Sequence, residues 1–265
     1  MNGRLVICPT PIGNLDDVTL RVLAALREAD AVACEDTRRT AKLLARHGIE
    51  APLVSYHEHN ERRRAGELVK RIADGEAIAL CSDAGTPAIS DPGYVLVRAC
   101  LDAGLAVEVL PGPTAVVTAL VASGLPAERF RFTGFLPRRK GELRRELERA
   151  GETLVAFESP NRLPATLALI AELEPERPLA VCRELTKLHE EVARGSAAEF
   201  ARRFARGTRG EVVLVVGTAE PGPKAELAPA LAAVERLVEA GARRRAAAQV
   251  VASLTGLPAN RLYRR

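Results

Sequence analysis

Short apolar runs alternate with helix-spaced apolar patterns along the first half of this chain, and proline or glycine punctuates each junction. Arg4–Cys8 is the first run, and it breaks at Pro9, Pro11 and Gly13. The spacing then predicts a helix over Val18–Ala29, with Val18, Val22, Leu23 and Leu26 on one face and Asp16 and Asp17 as caps. A strand at Ala31–Cys34 precedes a helix capped by Thr37 and stopped by Gly48. The same alternation continues through a strand at Leu53–Tyr56, a helix at Glu61–Asp74 and a strand at Ala77–Cys81. After the Gly- and Pro-rich loop Ser82–Gly93 come a helix at Tyr94–Ala103 and a strand at Val107–Leu110. Repeated β-loop-α units imply a parallel sheet with right-handed crossovers. In such sheets a ligand sits at the C-terminal strand ends. Those ends hold most of the unusual residues of this half: Cys8–Asn14, Glu35–Arg38, Tyr56–Asn60, Ser82–Gly93 and Pro111–Thr114.

The second half has another rhythm. Helix is expected at Thr114–Ala122, Arg138–Ala150, Arg162–Glu172 and Ser196–Phe204, and strand at Phe130–Phe135, Thr153–Phe157, Leu179–Arg183, His189–Arg194 and Glu211–Gly217. Strands with fewer helices between them suggest a mixed, partly antiparallel sheet. Pro221-Gly222-Pro223 reads as a linker, followed by helices at Leu227–Ala240, Arg243–Leu254 and Pro258–Arg264, with the break Leu254-Thr255-Gly256-Leu257-Pro258 resembling the turn of a helix-turn-helix. The fold expected is therefore α/β in two lobes: a parallel-sheet lobe at 1–113, a mixed-sheet lobe at 114–222, and a small helical extension at 223–265.

Charge singles out that extension. The chain of 265 residues carries +4, but residues 224–265 hold eight Lys and Arg against three acids, while the rest holds 30 against 31. A basic appendage on a neutral body points to an anionic partner, nucleic acid first. The five cysteines form no Cys-x-x-Cys pair and read as small buried apolar residues of a reducing compartment. No run approaches the ~18 apolar residues of a membrane helix, and the N-terminus lacks a signal-peptide layout, so a cytoplasmic protein is expected.

Neither a Gly-x-Gly-x-x-Gly fingerprint nor a GxxxxGK phosphate loop follows the first strand, which argues against NAD and nucleoside-triphosphate chemistry. Two prolines and one glycine in Pro9-Thr10-Pro11-Ile12-Gly13-Asn14-Leu15 make either a rigid turn or a close approach to a ligand. Ser82–Gly93 is the richest loop, with small residues, hydroxyls and two carboxylates at a strand end, suited to reading a ligand through its backbone. Glu35-Asp36-Thr37-Arg38 is either a helix cap or part of a site. His57-Glu58-His59 has metal-ligand spacing but no third ligand, so no metal is expected.

Six segments occur together and in order: Pro9–Leu15, Glu35–Arg38, Ser82–Pro87, Pro111–Thr114, Glu158-Ser159-Pro160 and Arg183–Lys187. The set resembles the RsmI family, the 16S ribosomal RNA cytidine 2′-O-methyltransferases of the tetrapyrrole methylase superfamily, over essentially the whole chain. The resemblance implies a homodimer of two-lobed chains that use S-adenosylmethionine to methylate a cytidine ribose of the small ribosomal subunit. By position it implies cofactor contacts at Pro11, at Ser82, Asp83, Gly85, Thr86 and Pro87, and at Ile89, Thr114 and Ala115. In the second lobe it implies Phe157, Glu158 and Ser159, then Arg183, Glu184 and Leu185, then Glu211, Val212, Val213 and Gly217. Pro9-Thr10-Pro11 stands where the tetrapyrrole-modifying relatives have a Gly-rich loop, which favours RNA as substrate.

A ribose 2′-hydroxyl is a poor nucleophile while protonated, so a base is sought at the strand ends. Asp91, Glu35, Asp36 and His57 are the candidates, Asp91 first because its loop also carries cofactor contacts. Arg38, Lys187, Arg138, Arg139 and Lys140, with Arg243, Arg244, Arg245 and Arg261 of the extension, are the cations expected to face RNA phosphates. Two rivals remain at this stage. One is methylation of a tetrapyrrole-like small molecule; the other is a nucleic-acid-binding regulator that only senses the cofactor.

Overall fold

The computed structural model describes residues 3–148, 151–218, 227–255 and 257–263. Lys224, Arg264 and Arg265 of the basic count, the Pro221–Pro223 linker and Gly256 of the expected turn lie outside them. So does Ala150, the expected end of the charged helix.

Five strands form the first sheet: β1 (Arg4–Ile7), β2 (Ala31–Cys34), β3 (Leu53–Ser55), β4 (Ala77–Cys81) and β5 (Ala106–Val109), in the order β3-β2-β4-β1-β5. Every pairing is parallel. Side chains alternate across a strand, and the sheet uses both faces. Leu5 and Ile7, Ala31 and Ala33, Ile78 and Leu80 share one core, covered by α3 (Glu61–Ala73) and α4 (Tyr94–Asp102). Val6 and Cys8, Val32 and Cys34, Ala79 and Cys81 share the other with α1 (Leu20–Glu28) and α2 (Thr37–Arg46). All five cysteines are free and buried, as small apolar packing residues would be. Burial raises the thiols of Cys100 and Cys182 to about 11, which keeps them from acting as nucleophiles.

Two helix caps differ from the expectation. Asp16 and Asp17 lie in a separate 3-10 turn, Leu15–Asp17, whose cap is Asn14. Asp16 is instead paired with Arg46 at 3.0 Å, and Thr19 caps α1 by accepting the amide of Val22. At α2 the cap is Asp36, one residue before Thr37, accepting the amide of Arg38 at 2.8 Å. Asp36 is extended and stands just before the first turn, where its carboxylate reaches a free helical amide, whereas Thr37 is already inside the turn.

The second sheet contains β6 (Phe130–Phe135), β7 (Thr153–Glu158), β8 (Pro178–Arg183), β9 (Glu191–Ser196) and β10 (Val212–Val216), in the order β6-β7-β10-β8-β9. β6 and β7 are parallel, while β10 runs against both β7 and β8, and β9 against β8. The sheet is mixed, as the sequence implied. On one face Val212, Leu214 and Val216 pack with α6 (Lys140–Leu147), α7 (Leu163–Leu173) and α8 (Ala197–Arg203). On the other, Val213 and Val215 pack with α5 (Ala115–Ser123) and with Ile12 of the first lobe. β9 starts two residues later than expected. Residues 186–190 form a tight turn in which the Glu190 carboxylate accepts the Thr186 amide at 2.5 Å.

Both sheets belong to one compact unit, Met1–Thr218, and Ala219–Arg265 form a second. The second unit has its own core. Ala230 and Val234 of α9 (Leu227–Glu239), Ala247, Ala248 and Val251 of α10 (Arg244–Thr255), and Leu262 of α11 (Ala259–Tyr263) are all buried. No helix among the described residues is long and apolar enough to cross a membrane.

Candidate functional site

Ile7 leads into the first loop, and Leu80 and Cys81 lead into the second. The two loops are joined: Thr10 and Gly85 exchange backbone hydrogen bonds, each 2.9 Å, as an isolated antiparallel bridge. The Thr10 hydroxyl donates to the Ser82 carbonyl at 2.9 Å, and the Ser82 hydroxyl to the Gly85 carbonyl at 3.2 Å. Among the described residues only Ala88, Ser90, Glu184 and Thr186 hold a left-handed backbone without being glycine. The first two lie in the loop after β4 and the last two in the loop after β8, and both loops border one cleft. Such backbone costs about 1–3 kcal/mol per residue and gathers where function requires it.

The second lobe closes the cleft from the other side. Asn14 donates its amide to the Thr186 hydroxyl at 3.0 Å. A Cβ on Gly13 would stand 2.7 Å from the Leu185 carbonyl and 2.6 Å from the Thr186 hydroxyl, so glycine alone permits this approach. The Glu184 carboxylate accepts the Glu211 amide and the Lys187 ammonium, both at 2.9 Å. Those donors hold the Glu184 carboxyl below its ordinary value. Burial opposes the charge on Lys187, but its two carboxylate partners Glu184 and Glu211 outweigh it and raise its pKa.

The cleft measures about 560 Å³. Gly85, Thr86, Ile89 and Asp91 line it from the first lobe, with Thr114 and Ala115 at the start of α5. From the second lobe come Phe157, Glu158 and Ser159, then Leu185, Glu211, Val212 and Val213. Pro11, Ser82, Asp83 and Lys187 line a smaller hollow of about 280 Å³ beside it, sharing Ile12, Ala84 and Glu211 with the cleft. Two side chains of the expected set act through others. The buried Glu158 carboxylate accepts the Ser159 amide at 2.7 Å and the Thr166 hydroxyl at 2.6 Å. Arg162, 3.4 Å from it, donates to the carbonyls of Leu136 and Pro137, tying the end of β6 to this corner. Glu184 stands behind the wall, as described.

Asp91 faces the cleft with a strongly displaced carboxyl. Burial, reinforced by the charges of Glu35 and Asp83, raises its carboxyl to about 6. Glu35 is itself raised, first by burial and then by Asp83. Asp83 accepts the Asp36 amide at 3.0 Å and faces Arg39 at 3.4 Å.

Several expected residues stand elsewhere. Gly217 is at the opposite end of β10 from Val212, where its carbonyl accepts from Arg177 and its amide donates to Pro178. β10 runs antiparallel, so its first residues, not its last, meet the cleft. Pro87 is buried beneath its loop, and Arg183 is paired with Glu191 at 3.0 Å; neither lines the cleft. Glu35 and His57 lie outside its lining as well, with His57 bonded through its amide and Nε2 to Asn60. Arg38 turns back onto Asp36. Arg139 and Lys140 pair with Glu142 and Glu172, while Arg138 is exposed. In the helical unit Arg243, Arg245 and Arg261 are exposed and Arg244 pairs with Glu235. No cluster of metal-binding side chains exists among the described residues.

Ile12, Ala84, Ser90, Val116, Phe135, Pro160, Cys182 and Gly210 also line the cleft and were not among the expected site residues. Gly210 had a legible signal, since a glycine just before an apolar strand marks a turn; its φ is 88° and a Cβ there would stand 2.5 Å from Glu184.

Two α/β lobes around such a cleft define a methyltransferase fold of tetrapyrrole methylase type. The family model described as Tetrapyrrole (Corrin/Porphyrin) Methylases matches residues 4–201. Solved structures agree on the fold. The uroporphyrin-III-C-methyltransferase of Thermus thermophilus is 24% identical, with a TM-score of 0.59 over 81% of this chain and 94% of that one. The methyltransferase CobJ is 23% identical, with a TM-score of 0.63 over 83% and 95%. Sequence relatives narrow the assignment. "Ribosomal RNA small subunit methyltransferase I" of Mycobacterium bovis is 48% identical over 99% of this chain and 94% of its own. The Halalkalibacterium halodurans protein of the same name is 45% identical over 98% and 93%. That of Thermotoga maritima is 43% identical over 82% of this chain and 100% of its own length. The chain belongs to the ribosomal RNA small subunit methyltransferase I family, within the tetrapyrrole methylases.

Proposed function

We propose that this enzyme uses S-adenosylmethionine to methylate a cytidine ribose 2′-oxygen in the decoding region of 16S ribosomal RNA. The observation that carries the reading is Asp91, a carboxylate raised to about 6 on the wall of a cleft of about 560 Å³. The cleft's chemistry suits the cofactor. Val212, Val213, Leu185 and Phe157 offer apolar wall for a purine and a thioether, and Thr86, Ser90 and Thr114 offer polar groups for the charged end. When bound, S-adenosylmethionine supplies a methyl group already activated on a sulfonium.

The protein then has two tasks. Its loops hold the acceptor in line, a contribution of up to about 7–11 kcal/mol in well-oriented systems. Asp91 takes the proton of the 2′-hydroxyl, worth about 10²–10⁴ in rate. Its raised pKa makes it basic enough to accept that proton while leaving it ionised at neutral pH. Glu35 contributes by keeping Asp91 basic, and Glu158 and Glu184 act as positioning residues.

The exposed Arg243, Arg245 and Arg261 of the helical unit grip RNA phosphates in this reading. They add affinity and not chemistry. A chain ending at Thr218 should keep cofactor binding, bind RNA more weakly and show a shallower salt dependence; unchanged RNA binding would remove the extension from the interface. The reading includes a cytoplasmic location and a homodimer, the latter supported by the exposed Val117 and Val121 on α5.

The decisive experiment is transfer of labelled methyl from S-adenosylmethionine to small ribosomal subunits that lack the modification, with mass mapping of the RNA. One 2′-O-methylated cytidine in the decoding region is expected. Label appearing only in an added tetrapyrrole would overturn the substrate assignment.

A further inference from the structure

A hollow of about 280 Å³ opens beside the cleft. Its walls are of a different chemistry from those of the cleft. α2 contributes Arg39 and Lys42, three residues apart and so on one helix face, and the loop after β8 contributes Lys187 from across the cleft. Two carboxylates also line it, Asp83 and Glu211. Each already has a cation: Asp83 holds Arg39 at 3.4 Å, and Glu211 holds Lys187 at 2.9 Å. Asp83 is in turn fixed by the Asp36 amide at 3.0 Å, so it anchors Arg39 at the wall and does not follow it outward. Lys42 is exposed and has no ion pair among the described residues. The hollow thus carries an unopposed positive charge beside an anchored guanidinium, and it shares the Ile12–Ala84 wall with the place where methyl transfer would occur.

The geometry points to this hollow as the seat of a backbone phosphodiester of the RNA, one next to the target nucleotide, held by Arg39 and Lys42. The inference rests on the reading of RNA as substrate and adds the part of the enzyme that holds the strand in register. A phosphodiester suits the hollow because it needs a guanidinium that can present paired N–H groups and a second, mobile point charge. A neutral or cationic small molecule would gain nothing from Lys42.

Arg39→Gln and Lys42→Gln are compared with the parent enzyme in binding to unmodified small ribosomal subunits over a ladder of KCl concentrations. Arg98→Gln serves as a control that removes one surface charge on α4 away from either hollow. Each of the first two variants should weaken binding at every salt and reduce the slope of log K against log[salt] by about 0.7–0.9, one phosphate contact. Affinity for S-adenosylhomocysteine should stay unchanged in both, which shows that the fold and cleft are intact. Slopes equal to the parent's, or an equal drop in Arg98→Gln, would overturn the subsite. A parent enzyme that neither binds nor methylates subunits would instead sink the RNA reading itself, and the subsite with it.

Discussion

In the first sheet all five strands run the same way, so all five C-terminal loops reach one edge. In the second sheet β10 runs against its neighbours, and the edge that faces the cleft is made of the ends of β7 and β8 and the beginning of β10. A parallel sheet therefore announces its ligand loops by their position after each strand. A mixed sheet does not, because the direction of each strand has to be known before its useful end is. Glycines at the two ends of β10 illustrate the point. Gly210 lines the cleft and Gly217 is at the far edge beside Pro178.

The comparison can be strained first at Asp91, the base proposed above, which lies in the parallel lobe. Asp91→Asn should lower turnover by about 10²–10⁴ while S-adenosylhomocysteine still binds. Turnover within threefold of the parent would move the base elsewhere. The pH profile sharpens the same claim. Turnover in the parent should climb with pH and level off above about 6, where Asp91 ionises. The linkage sign follows from the raised pKa. Asp91 favours the folded state most when protonated, and this contribution is lost as pH rises through about 6. Asp91→Asn should therefore gain more melting temperature over the parent at neutral pH than in acid; an equal gain at both would contradict the burial of its charge.

The mixed lobe is tested by its two glycines. Gly210→Ala meets both a left-handed backbone and Glu184 at 2.5 Å, and should weaken cofactor affinity about tenfold. Gly217→Ala meets the Pro178 carbonyl at 2.9 Å and should cost about 1–3 kcal/mol of stability, read by denaturant unfolding. Its cofactor affinity should not change. Equal losses of affinity in the two variants would erase the distinction between the ends of β10.

Much of the architecture was legible because strands covered by helices on both faces read as short continuous apolar runs. Ala31–Cys34 and Ala77–Cys81 emerged with the bounds the apolar runs suggested. Ser82–Gly93 was legible as a loop because its composition forbids regular structure, and part of it lines the cleft. Caps were less so: Asn14, Thr19 and Asp36 compete with adjacent polar residues, and one hydrogen bond decides between them. The left-handed backbone of Ala88, Ser90, Glu184 and Thr186 left no trace, since local preference would place glycine or asparagine there and tertiary contacts overrule it. Nor could Glu35 be seen to act on Asp91, as that coupling joins the ends of β2 and β4 across the sheet.

The bridge between Thr10 and Gly85 has a consequence for descent. Two loops far apart in the chain are zipped by a reciprocal pair of backbone bonds, so a residue inserted in one displaces the other. Neither segment is free to lengthen or shorten by itself. In the lineage of this enzyme the two stretches should be inherited as one piece, with length changes appearing in both or in neither, although more than seventy residues separate them in the chain.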